Sequence, residues 1–536
     1  MARRTRRSLL LPIALAGCFA VQCLWFIGTQ SLTYDEPAHL IAGLDAWRHR
    51  RFEQWNDQPP LGRLLLTAPL LFPRVDAWQL DDRGPSGANY WTVAVGPDAV
   101  ALAWRTRLVN VALGLLLATL LWFTARRYFS EGAANVALAL FACSPAAIAH
   151  FSLATVDGLA ALTCFAAAVA VVRWRAEPTW ARTSLAGLAF GAFLTSKFSA
   201  PPLVLLGLAL MATSGSAGER RGRIAKTCVA VAIAAGLVWT IYGWRVGPVT
   251  FRNGSLSGPY ARGSTVIVPT DRAVNRTLSL PAPEFVAALG GVAQHSVRGQ
   301  PAFLLGEVKH AGGWRRYFPI VVLLKWPLAV WLLAIAAVLA AARRLAMPRD
   351  VALLMLFPLL FFALAISTKL DIGDRYVLPA YPFLLLLCAA AWHAAGVRPL
   401  ARGLVVALVA FQAVDVLRYA PDQLSYMTIF VPQDRGYTLL TDSNLDWGQG
   451  LLALRDYERG HPAVPISLAY FGGVDPRSYG IAARSLGEQD RVHGTVVVSA
   501  THLSGQYLHD PAAYHWLLAY PRTAVLDHTL HVFEVP

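Results

Sequence analysis

The chain has 536 residues, of which 56% are hydrophobic and only 15% are charged, and its mean hydropathy is +0.45. This composition excludes an ordinary soluble protein of that length, which needs more polar surface, and predicts a polytopic α-helical membrane protein. The net charge of +15 does not indicate nucleic-acid binding, because many arginines stand in short clusters between apolar runs, as they do in cytoplasmic loops.

The first predicted element is an apolar run at residues 9–28, which follows a cluster of four arginines within the first seven residues. A signal peptide is one interpretation, and residues 15–18 (LAGC) resemble a lipoprotein cleavage box. The run is close to the ~20 residues that a membrane span needs, which favours an uncleaved first helix with its N-terminus inside.

Further apolar runs predict membrane spans at 107–122, 132–149, 155–172, 183–195, 200–212, 227–244, 318–342, 351–367, 376–395 and 404–419. Together with the first run they give about eleven transmembrane helices. The two runs between 183 and 212 are short, and one re-entrant pair is the alternative for them.

The orientation in the membrane follows from basic residues that fall in alternate loops. These are Arg126 and Arg127, Arg173 and Arg175, Arg220, Arg221, Arg223 and Lys226, Arg343, Arg344 and Arg349, and Arg398 and Arg402. The positive-inside rule places these loops and the N-terminus in the cytoplasm, and predicts a multi-pass protein of the inner (cytoplasmic) membrane. The long loops 29–105 and 245–317, and everything after residue 419, then lie outside.

Residues 420–536 differ in character from the transmembrane domain 1–419. Strand-like runs at 437–441, 466–471, 495–499 and 529–535 alternate with helix-like runs at 447–459 and 511–518. This alternation predicts a small extracytoplasmic α/β domain at the C-terminal end of the chain.

Three acids stand at the predicted outer ends of apolar runs: Asp35, Glu36 and Asp157. Charges at this depth in a membrane protein have partners or a function, so each acid is a candidate site residue. A structural interpretation also fits the adjacent pair, because an acid followed by Pro37 is typical of a helix start. Both can hold together, since the helix dipole keeps an N-terminal carboxylate ionised, as a general base must be.

Four cations lie in the predicted outer halves of the spans or in the outside loops: Arg63, Lys197, Lys325 and Arg375. Each of these side chains has a structural alternative, in which it only extends to the lipid head groups, as long basic side chains do. Lys325 lies deeper in its span than the others and is harder to explain in that way. Four cations beside three acids predict a pocket for an anionic lipid phosphate next to a proton-accepting carboxylate.

The tail contains one polar segment, 442–449 (DSNLDWGQ), between a predicted strand and a predicted helix. Such turns often carry binding residues in α/β domains, which makes Asp442, Asn444, Asp446 and Gln449 candidates for contacts with an acceptor or for an accessory role. The favoured alternative is a capping turn, with Asp446 at the cap and Trp447 packed beneath it.

These motifs in this order resemble the membrane glycosyltransferases with the GT-C fold, in particular the superfamily of protein O-mannosyltransferases and lipid A aminoarabinose transferases, here in a bacterial member. The resemblance rests on residues 34–39 (YDEPAH), 58–63 (QPPLGR), 153–157 (LATVD), 195–199 (TSKFS), 312–319 (GGWRRYFP), 325–327 (KWP), 374–379 (DRYVLP) and 442–449. It covers nearly the whole chain. Two positions depart from the pattern, Gln58 in place of His and Val156 in place of Thr, and both concern donor recognition.

The resemblance implies that the protein takes a sugar from a polyprenyl-phosphate carrier outside the membrane and passes it to a protein, lipid or glycan acceptor. Asp35 would be the catalytic acid or base, with Glu36 beside it and Asp157 as the second acid. Arg63, Lys197 and Arg375 would bind the carrier phosphate, with Lys325 as a further candidate. We expect an inverting transfer, in which Asp35 deprotonates an acceptor hydroxyl.

No cofactor is expected to be required. The six cysteines lie in apolar runs without the spacing of a disulfide framework or a metal site. A divalent metal at the three acids is chemically possible, but four cations already compensate the charge, so no metal site is predicted.

Two other classes of function remain as alternatives. A transporter or flippase of lipid-linked sugars also needs many helices and a basic pocket, but it needs polar groups in both membrane halves. The inner halves of these spans carry few, mainly Asn135 and His393. A membrane-anchored interaction protein that works through its tail would leave Asp157 and Lys325 unexplained.

Overall fold

The computed structural model describes residues 2–53, 57–72, 78–81, 92–95, 99–252, 255–257, 265–266, 276–311, 313–343, 347–462 and 464–536. Parts of the two predicted outside loops lie outside the described residues. The same is true of Gly312 in the motif 312–319 and of Arg344 in one basic loop.

Helices dominate the chain up to residue 417. They are α1 (Ala2–Thr29), α2 (Glu36–His49), α3 (Pro60–Thr67), α4 (Ala99–Tyr128), α5 (Glu131–Ala142), α6 (Pro145–Phe151), α7 (Asp157–Ala176), α8 (Trp180–Leu194), α9 (Ala200–Ala212), α10 (Arg220–Ile241), α11 (Pro283–Arg298), α12 (Tyr317–Lys325), α13 (Leu328–Ala342), α14 (Arg349–Leu354), α15 (Leu356–Ser367), α16 (Tyr381–Ala395) and α17 (Pro399–Leu417). Two more helices follow, α18 (Leu451–Gly460) and α19 (Ala500–Leu503).

Seven helical segments of the described chain are long and apolar enough to cross a membrane, and two bent helix pairs raise that number to nine. Each predicted span coincides with a helix, so the prediction of a polytopic helical membrane protein is confirmed. The count of eleven exceeds nine because α8 has 15 residues and α9 has 13, which is short for a span of ~20 residues.

Two predicted spans are broken by proline. The segment 132–149 bends by 61° between α5 and α6, where Ser144 caps α6 and Pro145 opens it. The segment 318–342 bends by 110° between α12 and α13. Trp326, which precedes Pro327, takes an extended conformation there, because proline disfavours the helical region for the residue before it. The second bend leaves Lys325 at the C-terminal end of α12.

The core of the bundle is formed around α7 and α16. In the spans that contain α7 and α16, 72% of the most apolar segment is buried inside the protein, against 22% in the spans that contain α10 and α17. The peripheral helices therefore present apolar faces outwards, as lipid-facing helices do. Small residues allow the close packing, and the largest buried side chains include Trp174 and Phe165 on α7.

Strands are confined to the loops and the tail. They are β1 (Trp78–Asp81), β2 (Thr92–Val95), β3 (Val246–Arg252), β4 (Ser255–Ser257), β5 (Thr265–Val266), β6 (Arg276–Pro281), β7 (Ala302–Leu304), β8 (Glu307–Lys309), β9 (Ile466–Ala469), β10 (Arg484–Ser485), β11 (Gly494–Ser499), β12 (Arg522–Leu526) and β13 (Leu530–Val535). The tail strands form a five-stranded sheet in the order β10-β9-β11-β13-β12. Its central strand β11 is buried from Thr495 to Ser499, as expected for a strand covered on both faces.

Three predicted elements of the tail differ from the structure. The segment 437–441 is no strand, because its first two residues belong to a 3-10 turn at Gln433–Thr438. The segment 511–518 contains the start of a 3-10 turn at His515–Ala519 in place of a helix. The helix predicted at 447–459 begins only at Leu451. The apolar residues in these segments have a packing role without a regular backbone, since Leu440 and Leu517 are both fully buried.

A close helix contact holds the first loop in place. A Cβ atom on Gly43 of α2 would lie 2.5 Å from the carbonyl oxygen of Arg63 and 2.6 Å from the Thr67 hydroxyl on α3. The helices can approach this closely only because residue 43 is glycine. The contact fixes α2 against α3.

We predict that Gly43→Ala destabilises the protein by about 1–3 kcal/mol, because the added methyl group must push α3 away. Gly291→Ala on α11 is the matched control, since no atom lies within 4 Å of a Cβ there, and it should gain up to about 1 kcal/mol of helix propensity. Thermal unfolding in detergent measures both. A Gly43→Ala protein as stable as the wild type would show that α2 and α3 are not tightly packed.

Candidate active site

A cavity of about 330 Å³ lies at the end of the bundle that carries the first loop. Its wall brings together segments that are far apart in the sequence: the start of α2, the start of α7, the turn between α8 and α9, the segment before α16, and parts of the tail. Of the predicted site residues, it is lined by Asp35, Asp157, Lys197, Arg375 and Asp442.

Asp35 is the most accessible of the predicted acids. It occupies the N-cap position of α2, yet its side chain makes no capping hydrogen bond. Instead its Oδ2 atom accepts a hydrogen bond of 2.6 Å from Nη1 of Arg375, and 30% of the side chain is exposed. The helix-start interpretation therefore explains the backbone at Asp35 but not the direction of its carboxylate, which faces the cavity.

Arg375 is held from several sides. Its Nε atom donates to the carbonyl oxygen of Ile372 and to Oγ of Ser443, each at 3.1 Å, and the guanidinium lies 4.2 Å from the ring centre of Trp447. Its Nη2 atom makes no hydrogen bond to the described residues, which leaves one edge of the guanidinium for a ligand. A planar donor fork of this kind suits a phosphate or carboxylate.

A second ion pair faces the cavity beside the first. Asp157 opens α7, and its Oδ1 atom accepts a hydrogen bond of 2.6 Å from Nζ of Lys197 in the turn after α8. Both side chains are nearly buried, and the ammonium group also lies 5.3 Å from the ring centre of Tyr376. Buried charges of this kind are stable only in pairs, so the two residues depend on each other.

Glu36 lies behind the cavity wall. The Arg107 guanidinium donates to both of its carboxylate oxygens, at 2.8 and 2.7 Å, and the backbone N–H groups of Thr33 and Ala154 donate at 2.7 and 2.6 Å. Burial alone would raise the pKa of Glu36, but Arg107 and these N–H groups outweigh burial and lower it. This differs from the predicted catalytic role, because no oxygen of Glu36 is left for a substrate.

Arg63 also lies behind the wall. Its Nε atom donates to Nδ1 of His39 at 3.2 Å, and its Nη2 atom donates to Asp57 at 2.8 Å. Both of these partners line the cavity, whereas Arg63 itself is buried beneath them. Arg63 therefore supports His39 and Asp57 from behind and does not line the cavity, which differs from the predicted direct contact with a carrier phosphate.

His39 is a cavity residue that sequence analysis missed. Burial, and then the nearby charge of Arg63, lower the pKa of His39 to about 4, so the ring is neutral near pH 7 and serves as a hydrogen-bonding group. The signal was present in the sequence: Asp35 and His39 are four residues apart, which places them on the same face of a helix.

Lys325 does not reach the cavity. Its ammonium group donates to the carbonyl oxygens of Leu424, Tyr426 and Asn444, at 2.7, 2.7 and 2.5 Å. An ammonium group has three donors, so none is left for a phosphate. The predicted role of Lys325 in phosphate binding is therefore wrong. Its hydrogen bonds instead hold the start of the tail against the broken helix pair α12 and α13.

In the tail segment 442–449, Asp442 is the member of the predicted set that lines the cavity. Its carboxylate accepts a hydrogen bond of 2.5 Å from the Tyr507 hydroxyl, and burial raises its pKa. The other three are buried in structural hydrogen bonds: Asn444 with Tyr317, Asp446 with the backbone of Thr501, and Gln449 with the backbone of Trp447 and Leu445. Burial raises the pKa of Asp446 to about 7. The favoured interpretation, in which Asp446 caps the following helix, is wrong, because α18 begins at Leu451 with Gly450 at its N-cap. The Asp446 carboxylate instead accepts hydrogen bonds from the N–H groups of Gly448 and Thr501.

Aromatic rings form a further part of the cavity wall. Tyr34 stacks on Phe471 with ring centres 5.1 Å apart, and Phe471 stacks on Tyr507 at 5.3 Å. All three rings line the cavity. Sequence analysis missed this platform because its members come from the first loop and from two separate parts of the tail, with no local pattern that links them.

Comparisons with known proteins agree with the motifs. Residues 99–244 match the family model of the dolichyl-phosphate-mannose-protein mannosyltransferases, a segment that contains Asp157 and Lys197. No curated protein sequence matches the chain.

Among solved structures, the S. cerevisiae protein O-mannosyltransferase Pmt1-Pmt2 complex bound to the sugar donor is similar over 76% of this chain and 89% of that chain, with a TM-score of 0.51 and 12% identity. ArnT from Cupriavidus metallidurans bound to undecaprenyl phosphate is matched over 98% of this chain and 97% of that chain, with a TM-score of 0.48 and 14% identity. The apo state of ArnT gives 99% and 98%, again with a TM-score of 0.48. The resemblance predicted from the motifs is confirmed at the level of the fold. The chain is a multi-pass membrane protein with the GT-C fold of membrane glycosyltransferases.

Proposed function

We propose that the protein is an inverting glycosyltransferase that moves a sugar from a polyprenyl-phosphate carrier to an acceptor hydroxyl of a protein, lipid or glycan. The observation that carries this proposal is the pair of ion pairs in one cavity, Asp35 with Arg375 and Asp157 with Lys197. The matched family and the S. cerevisiae mannosyltransferase with its sugar donor support the donor class.

Asp35 is the general base. Its carboxylate is the accessible one and is not used in helix capping, so an acceptor hydroxyl can approach it and lose its proton to it. The hydroxyl oxygen then attacks the anomeric carbon from the face opposite the leaving phosphate. The bond to the carrier phosphate breaks, and the configuration at that carbon is inverted.

Lys197 and Arg375 stabilise the departing phosphate. The phosphate gains negative charge as the glycosidic bond breaks, and cations fixed at that position lower the barrier because they need not reorganise. Asp157 positions the Lys197 ammonium group at 2.6 Å. Arg63 and Glu36 act through other residues, the first through His39 and Asp57, and the second by fixing the start of α2.

The acceptor is proposed to enter past the aromatic wall. Tyr34, Phe471 and Tyr507 offer flat apolar surface, and Asp442 offers a polar atom at its edge. By the positive-inside argument, the cavity opens on the extracytoplasmic side of the inner membrane. The tail, which supplies part of this wall, is then extracytoplasmic as well.

We predict that Asp35→Asn lowers sugar transfer by at least ~100-fold, because the amide cannot take the proton and a general base supplies about 10²–10⁴-fold. Thermal unfolding should stay closer to that of the wild type than in a fully buried pair, since Asn keeps the size of the side chain and the Asp35 carboxylate is 30% exposed, where solvent weakens its ion pair with Arg375. The assay is transfer of a labelled sugar from its polyprenyl-phosphate carrier in proteoliposomes.

The same proteoliposomes separate a transferase from a flippase. Translocation of the labelled carrier without transfer to any acceptor would favour the transporter, and near-normal transfer by Asp35→Asn would remove Asp35 as the base. A chain truncated after residue 419 should lose transfer, because part of the cavity wall is lost with it.

We predict a different outcome for Glu36→Gln. It leaves the Arg107 guanidinium buried beside a neutral group, and breaking a buried ion pair costs about 3–5 kcal/mol. The variant should therefore unfold at a lower temperature and lose activity in proportion to folded protein. Glu131→Gln is the control, since its pair with Arg126 is exposed and worth at most about 1 kcal/mol. A stable but inactive Glu36→Gln protein would instead give Glu36 a direct role in the chemistry.

We propose that transfer requires no divalent metal at Asp35 or Asp157, because each carboxylate has a cationic partner at 2.6 Å. At a temperature well below unfolding, EDTA should change the initial transfer rate by less than about twofold, against the orders of magnitude expected when a catalytic metal is removed. Full loss of transfer in EDTA that Mn²⁺ restores would contradict this.

A further inference from the structure

A cluster of possible metal ligands lies apart from the cavity. Asp422 follows the end of α17 by a few residues, and Asp527 and His528 lie in the turn between β12 and β13. One ligand atom from each residue lies within 4.8 Å of the others. None of the three lines the cavity, so the proposed transfer leaves the cluster unexplained.

The central observation is the isolation of Asp422. Only 1% of this residue is exposed, and neither of its carboxylate oxygens has a hydrogen-bond partner. Oδ2 of Asp527 and Nδ1 of His528 are likewise buried without a partner. A buried carboxylate is strongly destabilising unless it is paired or binds a cation. The unpartnered buried atoms of these three neighbouring residues therefore point to a cation-binding site.

Hydrogen bonding within the cluster does not account for it. Nδ1 of His528 lies 3.5 Å from Oδ2 of Asp422, which is long for a charge-assisted hydrogen bond. The two carboxylates make no hydrogen bond to each other. A divalent cation between the two carboxylates would compensate their negative charges.

The spacing of one ligand pair and the donor set fit a transition metal, and the third ligand atom lies within 4.8 Å of both. Two ligands at about 2.0–2.1 Å from a tetrahedral ion lie about 3.3–3.5 Å apart, which agrees with the distance between His528 and Asp422. Two carboxylates and one imidazole are ligands typical of Zn²⁺, whereas Mg²⁺ and Ca²⁺ prefer oxygen atoms alone. Nε2 of Gln30 donates to Oδ1 of Asp527 at 3.1 Å and orients it, as partners of metal ligands commonly do.

We propose that Asp422, Asp527 and His528 bind one Zn²⁺ ion that joins the β12–β13 turn to the end of α17. Through Gln30 the ion also braces the end of α1, five residues before Asp35. Its role is structural, because it lies outside the cavity and because binding a folded site stabilises the folded state.

The test uses the full-length protein, purified without a polyhistidine tag and without chelator. Zinc per chain is measured by inductively coupled plasma mass spectrometry, and thermal unfolding is followed with and without EDTA and after addition of zinc chloride. Asp422→Asn and Asp527→Asn remove one ligand each, and His528→Ala is a third variant with a smaller risk of misfolding. Asp456→Asn is the matched control, because that carboxylate is exposed on α18.

We expect about one zinc ion per chain in the wild type and in Asp456→Asn, and a small fraction of that in the three ligand variants. EDTA should lower the unfolding temperature of the wild type and the control to that of Asp422→Asn, and zinc should restore it. The proposal would be overturned if the wild-type protein binds no zinc and its unfolding temperature does not change with EDTA or zinc.

A higher unfolding temperature in Asp422→Asn than in the wild type would also overturn the proposal. That result would show that the carboxylates of Asp422 and Asp527 only repel each other or share a proton. Stoichiometric binding of magnesium or calcium in place of zinc would overturn the assignment of the ion. Because these measurements do not use transfer activity, their failure is distinct from failure of the proposed transferase.

Discussion

The site depends on the buried ion pair between Glu36 and Arg107. Arg107 lies on α4 and reaches the first loop, where it also donates to the carbonyl oxygens of Gln30 and Ser31, while Glu36 receives the N–H group of Ala154 just before α7. One pair therefore fixes three segments against each other. Neighbouring residues at a helix start point in directions about 100° apart, so holding Glu36 inwards turns Asp35 towards the cavity.

The tail completes the site that this pair begins. The N–H group of Tyr34 donates to the carbonyl oxygen of Trp447, and the N–H group of Ser31 donates to that of Gln449, at 2.8 and 2.9 Å. Ser443 and Trp447 in turn hold Arg375 against Asp35. The segment 442–449 is thus a structural part of the cavity wall, which explains why its polar side chains are mostly buried and hydrogen-bonded.

Much of the fold and of the site could be predicted from the sequence, because polar residues within membrane-spanning apolar runs are unfavourable unless they have a structural or functional role. That argument found the spans and the residues Asp35, Asp157, Lys197 and Arg375, and the order of the motifs predicted the fold. It could not say what each charge faces. Lys325 belongs to the same outer half by sequence, but its partners are carbonyl groups of the tail, about a hundred residues away in the chain. The aromatic wall has no local signal at all.

The two cavity ion pairs also bear on the order of events in the proposed reaction. Arg375 holds the carboxylate that is to act as base, at 2.6 Å, so Oδ2 of Asp35 is occupied by the guanidinium. A carrier phosphate that engages the free edge of Arg375 competes with Asp35 for its charge, whereas Asp157 keeps Lys197 in place. Donor binding would then release Asp35 for the acceptor hydroxyl, so the same cation that stabilises the leaving phosphate restrains the base until a donor is present. This coupling would limit activation of an acceptor, or of water, in a cavity that holds no sugar to transfer.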